Sequence, residues 1–371
     1  MSESNEQVTD KRTFPLGVIY FYLTKDCNLR CRHCWISPDF QSATTSTSYL
    51  PVELFKSIIS EAKPLGLSGV KLTGGEPLLH PGILDILEIV RSEGLSLSIE
   101  TNGVLCTPEI AKAISACNQV SISVSLDGTT ASTHEWVRGV DGCFEDAVQG
   151  IKNLITAGIQ PQIIMTIMRH NMSQVYEMID FARSLGAGSV KFNIVMPTSR
   201  GKAMHEAGET LTIEELVAMG ALIEKTTARN VKLPVVYSHP LVFRPLSNMF
   251  GRQGRCGICN ILHIIGVLAD GTYALCGIGE ELPELTYGNA KTDKLADVWG
   301  QAPFLNELRA GLPSRLEGIC GECMLKNMCL GSCIAQNYYR TKNLWAPFWY
   351  CEEARNNGLF PFSRTGRVTQ P

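Results

Sequence analysis

Between Gly17 and Val236 the apolar positions alternate between two periods. Short runs rich in β-branched and aromatic residues, GVIYFYL (17–23), GVKLT (69–73), LSLSIE (95–100), QVSISVSL (119–126), QPQIIMTIM (160–168) and SVKFNIV (189–195), read as strands. Between and after them LPVELFKSIISEA, ILDILEIVRSE, PEIAKAISA, FEDAVQGIKNLITA, VYEMIDFARSLG and IEELVAMGALIEKTTA space their apolar residues three and four apart, as amphipathic helices do. Six strands separated by helices imply parallel pairing through right-handed crossovers, because a parallel neighbour is reached only by a connection of about a dozen residues or more. The pattern predicts an α/β fold, a (β/α) barrel or open sheet, with its reactive groups at the carboxyl ends of the strands.

After about residue 236 the rhythm breaks, Gly and Pro become frequent, and eight of the 14 cysteines fall between Cys256 and Cys351. This predicts four stretches: a flexible N-terminus (1–15), a barrel (16–235), a second domain held by metal more than by its thin core (236–358), and a poorly ordered tail (359–371). With 44% hydrophobic and 19% charged residues the chain can bury a sizeable core. A net charge of −3 without a basic stripe argues against a nucleic-acid partner. The polar start MSESNEQVTDKR has no apolar core of a secretion signal, and no apolar run approaches the ~20 residues of a membrane span, which predicts a cytoplasmic protein with no membrane role. In that reducing compartment 14 cysteines point to metal or redox chemistry before disulfides.

Directly after the first strand, TKDCNLRCRHCW spaces Cys27, Cys31 and Cys34 as C-x3-C-x2-C. Soft thiolates favour iron–sulfur clusters or zinc, and a structural zinc would want a fourth ligand close by, which this loop lacks. The alternative is a small zinc knuckle or three core cysteines. The spacing, followed by Gly74, Gly75, Glu76 and Pro77 at the end of the second strand, resembles the radical SAM (S-adenosylmethionine) enzymes. The resemblance implies a partial (β/α)6 barrel and a [4Fe–4S] cluster on the three cysteines. Its open iron would chelate SAM, and one electron would release a 5′-deoxyadenosyl radical that takes hydrogen from substrate. His33 stands where that family usually has an aromatic residue. Glycines at 74 and 75 let backbone approach a ligand, and the turn could aim carbonyls or Glu76 at the ammonium of SAM. Further SAM contacts implied by the resemblance are Asn102 in ETNG, Ser125 in SLDG for the ribose, and Arg138 in HEWVRG for the carboxylate. Asp127 reads as a turn residue.

The C-terminal cysteines run C-x2-C from Cys256 to Cys259, then Gly271 and Cys276 as G-x4-C, then Cys320, Cys323, Cys329 and Cys333 as C-x2-C-x5-C-x3-C, and finally Cys351. This resembles the SPASM extension of radical SAM peptide-modifying enzymes. Carried over, a first auxiliary [4Fe–4S] cluster would take Cys256, Cys259, Cys276 and Cys333, and a second Cys320, Cys323, Cys329 and Cys351, making three clusters in all. A zinc ribbon is the structural alternative. The eleven cysteines so placed leave Cys106, Cys117 and Cys143, which read as structural thiols, although Cys106 could face the barrel mouth as a hydrogen donor.

The resemblance implies a maturase that oxidises a ribosomally made precursor peptide by two electrons, as in a crosslink. It would need a low-potential flavodoxin- or ferredoxin-type donor. Wording such as ADGTYALCGIG and LGSCIAQNYYRT is similar to SPASM proteins of the SynChlorMet cassettes. Sulfatase-maturing members carry Asp directly after the G-x4-C cysteine, and Gly277 stands there, which disfavours formylglycine formation. About 16 residues precede the first strand, so a separate leader-peptide-binding protein, or the groove beside the barrel, would recognise the precursor. Arg169, His170, Ser199 and Arg200 are candidate substrate-facing residues. The competing readings are a peptide epimerase, a radical SAM enzyme for a small molecule, and a non-catalytic metal-binding scaffold.

Overall fold

A computed structural model of the chain describes residues 14–42, 44–227, 233–245 and 259–366, with the side chains of 226 and 227 left aside. Its centre is a parallel sheet of β1 (Val18–Tyr22), β4 (Gly69–Thr73), β5 (Ser96–Thr101), β6 (Asn118–Ser125), β7 (Gln162–Ile167), β8 (Ser189–Ile194) and β9 (Val235–Tyr237), side by side in that order. Two short strands in the first loop, β2 (Asp26–Cys27) and β3 (Asp39–Phe40), pair only with each other. On the other edge β10 (Ile264–Val267) joins β1 in parallel, and β11 (Thr272–Ala274) and β12 (Thr286–Asn289) follow antiparallel, giving ten strands in one sheet.

The six strands expected from the sequence are β1, β4, β5, β6, β7 and β8, and the six expected helices are α1 (Val52–Ala62), α2 (Ile83–Ser92), α3 (Pro108–Ser115), α5 (Cys143–Thr156), α6 (Val175–Leu185) and α8 (Ile213–Thr227). Their apolar faces pack on the sheet: Phe55, Ile58 and Ile59 of α1, and Ile86, Leu87 and Val90 of α2 are buried against outward strand residues such as Val70, Leu72, Leu97 and Ile99. Each Leu, Ile or Phe so buried contributes about 1.5–3 kcal/mol. Two further helices, α4 (Ala131–Arg138) and α7 (Ser199–Glu206), lie in loops after β6 and β8. Their apolar periodicity is weak because both serve the site and not the sheet, and periodicity alone gave no signal for them.

Among the described residues after 236, Trp299, Leu305, Leu308, Trp345 and Phe348 are buried in one continuous core with the barrel strands, and β10 to β12 extend the barrel's own sheet. The end of the chain is built in as far as residue 366. Phe360 is buried, Arg364 Nη1 donates to the Val242 carbonyl at 2.9 Å, and Thr365 bridges to Cys323. Among the described residues no helix is long and apolar enough to cross a membrane.

Candidate functional site

The loop between β1 and α1 is clamped from three directions. From β4, Gly75 N donates to the Thr24 carbonyl and Glu76 N to the Asp26 carbonyl, both at 2.9 Å, so the Gly-Gly-Glu turn runs alongside the start of the cysteine loop. A Cβ on Gly75 would stand 2.0 Å from the Asp26 carbonyl oxygen, and Gly74 has φ +133° with Thr24 O 2.7 Å from where its Cβ would be, so only glycine fits this approach. From α4, the carbonyls of Arg138 and Val137 accept from Arg30 N and Arg32 N at 2.9 Å. From α7, Arg200 donates to the carbonyls of Cys31 (3.3 Å) and Pro38 (3.1 Å). The loop's own Asp26 is buried. Burial alone would raise its pKa, but donors from Ser46 (2.7 Å), Thr47 (2.8 Å) and Ser48 (3.1 Å) lower it and pin segment 46–48 to the loop.

The clamps hold Cys27, Cys31 and Cys34 together as free thiols. Burial raises the pKa of Cys27, and the neighbouring charges of Cys31, Glu76 and Cys34 raise it further; Cys34 is raised by burial and then by Cys31. Such thiols keep their protons until a cation takes the protons' place. Leu29 N donates to Cys27 Sγ at 3.4 Å and Arg138 Nη1 to Cys31 Sγ at 3.4 Å. Asp127, expected in a turn, is instead fully buried: it pairs with Arg138 Nη2 at 2.7 Å, accepts from Thr166 N at 2.7 Å and faces His33 at 3.8 Å. Burial drives the His33 pKa down to about 4, so the ring is neutral. With two nitrogens of its guanidinium so engaged, Arg138 keeps a buried Nε–H without a partner among the described residues, as does His33 Nδ1.

Glu76 also departs from expectation. Its carboxylate accepts from Leu78 N (3.0 Å), Thr101 Oγ1 (2.7 Å) and Asn102 N (2.8 Å), which ties the ends of β4 and β5 together. Pro77 opens a buried 3-10 turn. Asn102 donates to Asn28 Oδ1 at 2.7 Å, inside the cysteine loop, and Ser125 ends β6 half-buried.

The remaining thiols form two more groups. Cys259, Cys276 and Cys333 lie close enough for burial and then one another's charges to raise the pKa of Cys276, and burial and then Cys333 push Cys259 up to about 12. Cys256 lies outside the described residues. Gly266 of β10 admits this group, since a Cβ there would stand 2.9 Å from Cys276 Cα. Cys320, Cys323, Cys329 and Cys351 line one apolar cavity. Burial, followed by the charges of Cys320, Cys329 and Cys323, holds the Cys351 thiol well above its usual range. Phe348 N donates to Cys320 Sγ at 3.3 Å and Leu325 N to Cys323 Sγ at 3.4 Å, donors that suit thiolates on a cluster. Among the described residues no three His, Cys, Asp or Glu side chains are arranged to hold one metal ion.

Strand residues that face away from the helices are polar in the middle of the sheet: Lys71 on β4, Ser98 and Glu100 on β5, Ser123 and Ser125 on β6, Lys191 and Asn193 on β8. Sequence reading missed this lumen, although the alternation in SLSIE, SISVS and SVKFN carries it, because strands covered by helices are expected to be apolar on both faces. Of the other candidates, Arg169 is bound to Glu215 by two 2.9 Å hydrogen bonds and His170 stacks on Trp136 at 3.8 Å. Ser199 instead reaches the cysteine loop through Ser37. Cys106 packs in the outer core against α5, with Cβ 3.1 Å from where Gly150 would carry one, and Cys117 donates to the Leu87 carbonyl at 3.5 Å; both are core thiols. Cys143 packs on Cys27 and Cys31.

A parallel partial barrel whose first strand-end loop presents three free thiols, beside a polar lumen, defines an α/β protein with a thiol-lined mouth. Residues 21–182 match the model of the Radical SAM superfamily, and this part of the chain is a radical SAM domain. Similarity continues beyond it. The chain is 29% identical over 353 residues to the AdoMet-dependent heme synthase of Methanosarcina barkeri, spanning 90% of this chain and 95% of that protein. It is 28% identical over 321 residues to the mycofactocin maturase MftC of Mycobacterium ulcerans, spanning 85% and 82%. The crystal structure of Streptococcus suis SuiB bound to S-adenosylmethionine shares the fold, with TM-score 0.71 at 17% identity over 92% of this chain and 78% of that one.

Proposed function

We propose that this protein is a radical SAM peptide maturase of the SPASM type, which abstracts hydrogen from a ribosomally made peptide and leaves it oxidised by two electrons. The observation that carries the reading is the grouping of the free thiols into sets, one in the clamped loop after β1 and two in the segments from Cys259 to Cys351. The mycofactocin maturase relative and the maturase-like wording of the C-terminal cysteines favour a peptide. In this reading Cys27, Cys31 and Cys34 hold the first [4Fe–4S] cluster. Cys259, Cys276 and Cys333, together with Cys256, hold the second, and Cys320, Cys323, Cys329 and Cys351 the third.

The first cluster would supply an open iron for SAM and the electron that cleaves it, and the other two would take up an electron from the oxidised peptide. The chain's own residues do the positioning. Gly74 and Gly75 bring backbone to the SAM side of the loop, Asn102 and Ser125 stand at neighbouring strand ends, and Arg138 offers its unpartnered Nε–H. Gly277 supports the reading against formylglycine formation: a Cβ there would stand 2.2 Å from Cε1 of Tyr22, so an acidic side chain has no room. The cytoplasm, a flavodoxin- or ferredoxin-type donor and a separate leader-binding protein complete the proposal.

Two measurements test it. Anaerobic reconstitution should give about twelve irons per chain, and Cys27, Cys31 and Cys34 replaced by Ala should lose about four with all SAM cleavage. With a precursor peptide encoded nearby, SAM and reductant, 5′-deoxyadenosine should accompany a peptide lighter by two hydrogens. An unchanged mass with solvent deuterium at one α-carbon would establish an epimerase. The heme synthase relative favours a second reading, a small-molecule substrate, which turnover of such a compound and none of the peptide would establish.

A further inference from the structure

Among the described residues, the strand side chains that face the lumen include two lysines and one carboxylate. Lys71 of β4 and Glu100 of β5 form an ion pair at 2.6 Å, with side chains 19% and 44% exposed. Lys191 is the third ionisable group, on β8, and both Lys71 and Glu100 are close enough to act on it. The register Ser125–Ile164–Lys191 across β6, β7 and β8 places it in the same row as the end of β6. Among the described residues its ammonium has no carboxylate within ion-pair distance and no hydrogen-bond acceptor, and Arg244 adds to the positive field around it. Two ammonium groups therefore share one carboxylate, and the second is half-buried without a counter-ion.

The Lys71 side of this group adjoins the second thiol set. Tyr20 is in register with Lys71 on one side and Gly266 on the other, and the missing Cβ of Gly266 admits Cys276. Through Ser98 the Lys71 row meets β6 at Ser121, and Ser125, at the end of that strand, lies in the row of Lys191.

We propose that Lys191, in the lumen that also holds the Lys71–Glu100 pair, is an anchor for a carboxylate of the substrate. The proposal deepens the maturase reading and rests on it only in taking the lumen as the substrate's place. A half-buried charge without a partner has lost part of its hydration, and an incoming anion offsets that cost. One surplus ammonium matches one negative charge, which favours a carboxylate over a doubly charged phosphate. The compact head of lysine, unlike a guanidinium fork, accepts a carboxylate from more than one direction, so a peptide C-terminus or an acidic side chain would serve.

The test uses the reconstituted holoenzyme and three small probes: N-acetyl-dialanine, its C-terminal amide, and N-acetyl-alanyl-aspartate amidated at its C-terminus. Lysine reactivity is followed residue by residue through limited reductive methylation and peptide mass spectrometry, with the exposed Lys56 as internal control. A bound carboxylate should slow methylation of Lys191 by the factor 1 + [probe]/Kd, about threefold at twice the Kd, while the neutral amide leaves it unchanged. Protection by N-acetyl-dialanine assigns the anchor to a C-terminus, and protection by the aspartyl probe to an acidic side chain. Equal effects of acid and amide, or protection of Lys191 no greater than of Lys56, overturn the proposal. In a second arm, Lys191→Met should raise the apparent thermal midpoint, because it removes an uncompensated charge, and a lowered midpoint would show that Lys191 is already paired. Neither arm involves SAM cleavage or product. A failed maturation assay with protection intact would reject the maturase reading and keep the anchor, and the reverse result would do the opposite.

Discussion

Replacing Asp127 by Asn tests whether the buried pair with Arg138 organises the first thiol loop. Asp127 is 0% exposed and Arg138 6%, and they meet at 2.7 Å. Asparagine keeps the shape and can still accept from Thr166 N through Oδ1, so the perturbation removes charge and little else. Arg138 remains charged and loses its counter-ion in a place water does not reach. Breaking a buried pair from one side costs roughly 3–5 kcal/mol. At about 2 °C per kcal/mol for a chain of this size, the apparent thermal midpoint should fall by roughly 6–10 °C. The midpoint is compared at one fixed scan rate, since unfolding of a cluster protein is not expected to reverse. Because the same guanidinium donates to Cys31 Sγ, iron per chain after reconstitution should fall as well, by up to one cluster. Asp127→Asn combined with Arg138→Met removes both charges and should recover part of the loss. A fall below about 2 °C, or a double variant that is worse by the full sum of the two singles, would refute the reasoning.

Three further outcomes follow from the same geometry. Gly277→Ala drives a methyl to within 2.2 Å of the buried Tyr22 ring and should cost about 1–3 kcal/mol, relieved by Tyr22→Ala in the same chain; an unchanged midpoint in the single variant would place the two segments apart. Cys323→Ala should remove about four irons and destabilise the region after residue 295, since its cavity would lose a ligand of the proposed third cluster; a fully folded, active protein with unchanged iron would reject that assignment. His134 accepts from Asp127 N at 3.1 Å, and burial, then the charge of Arg138, drive its pKa to about 3. Its folded pKa lies below the ordinary value of 6.5, so its stabilisation is full above pH ~6.5 and falls toward pH ~3 by about 1.4 kcal/mol per unit. The midpoint should drop from pH 7.5 to 5, and drop less in His134→Gln; parallel slopes in the two proteins would count against the buried neutral histidine.

Much of this protein is legible in one dimension. The strands and helices of the barrel follow from local periodicity, because a residue's face on a strand or helix depends only on its spacing along the chain. Cys27, Cys31 and Cys34 are equally legible, since three thiols within eight residues share a loop whatever surrounds them. The helices α4 and α7 escaped, since they pack on a loop and need no regular apolar stripe.

What the tertiary structure decided is pairing at a distance. Asp127 looks like any turn aspartate until Arg138, Thr166 and His33 close around it from three different elements. Glu76 is a free carboxylate in the motif and a triply bonded strut in the fold. The C-terminal thiols come from segments up to 74 residues apart, Cys259 to Cys333, and only folding brings them within reach of one another's charge. The polar lumen was written in the alternation of SLSIE and SVKFN, but which of its charges is balanced depends on the fold, which brings Lys71 to Glu100 and, among the described residues, leaves Lys191 without an ion-pair partner. Electrostatic energy depends on separation in space and on burial, and neither is a property of sequence order.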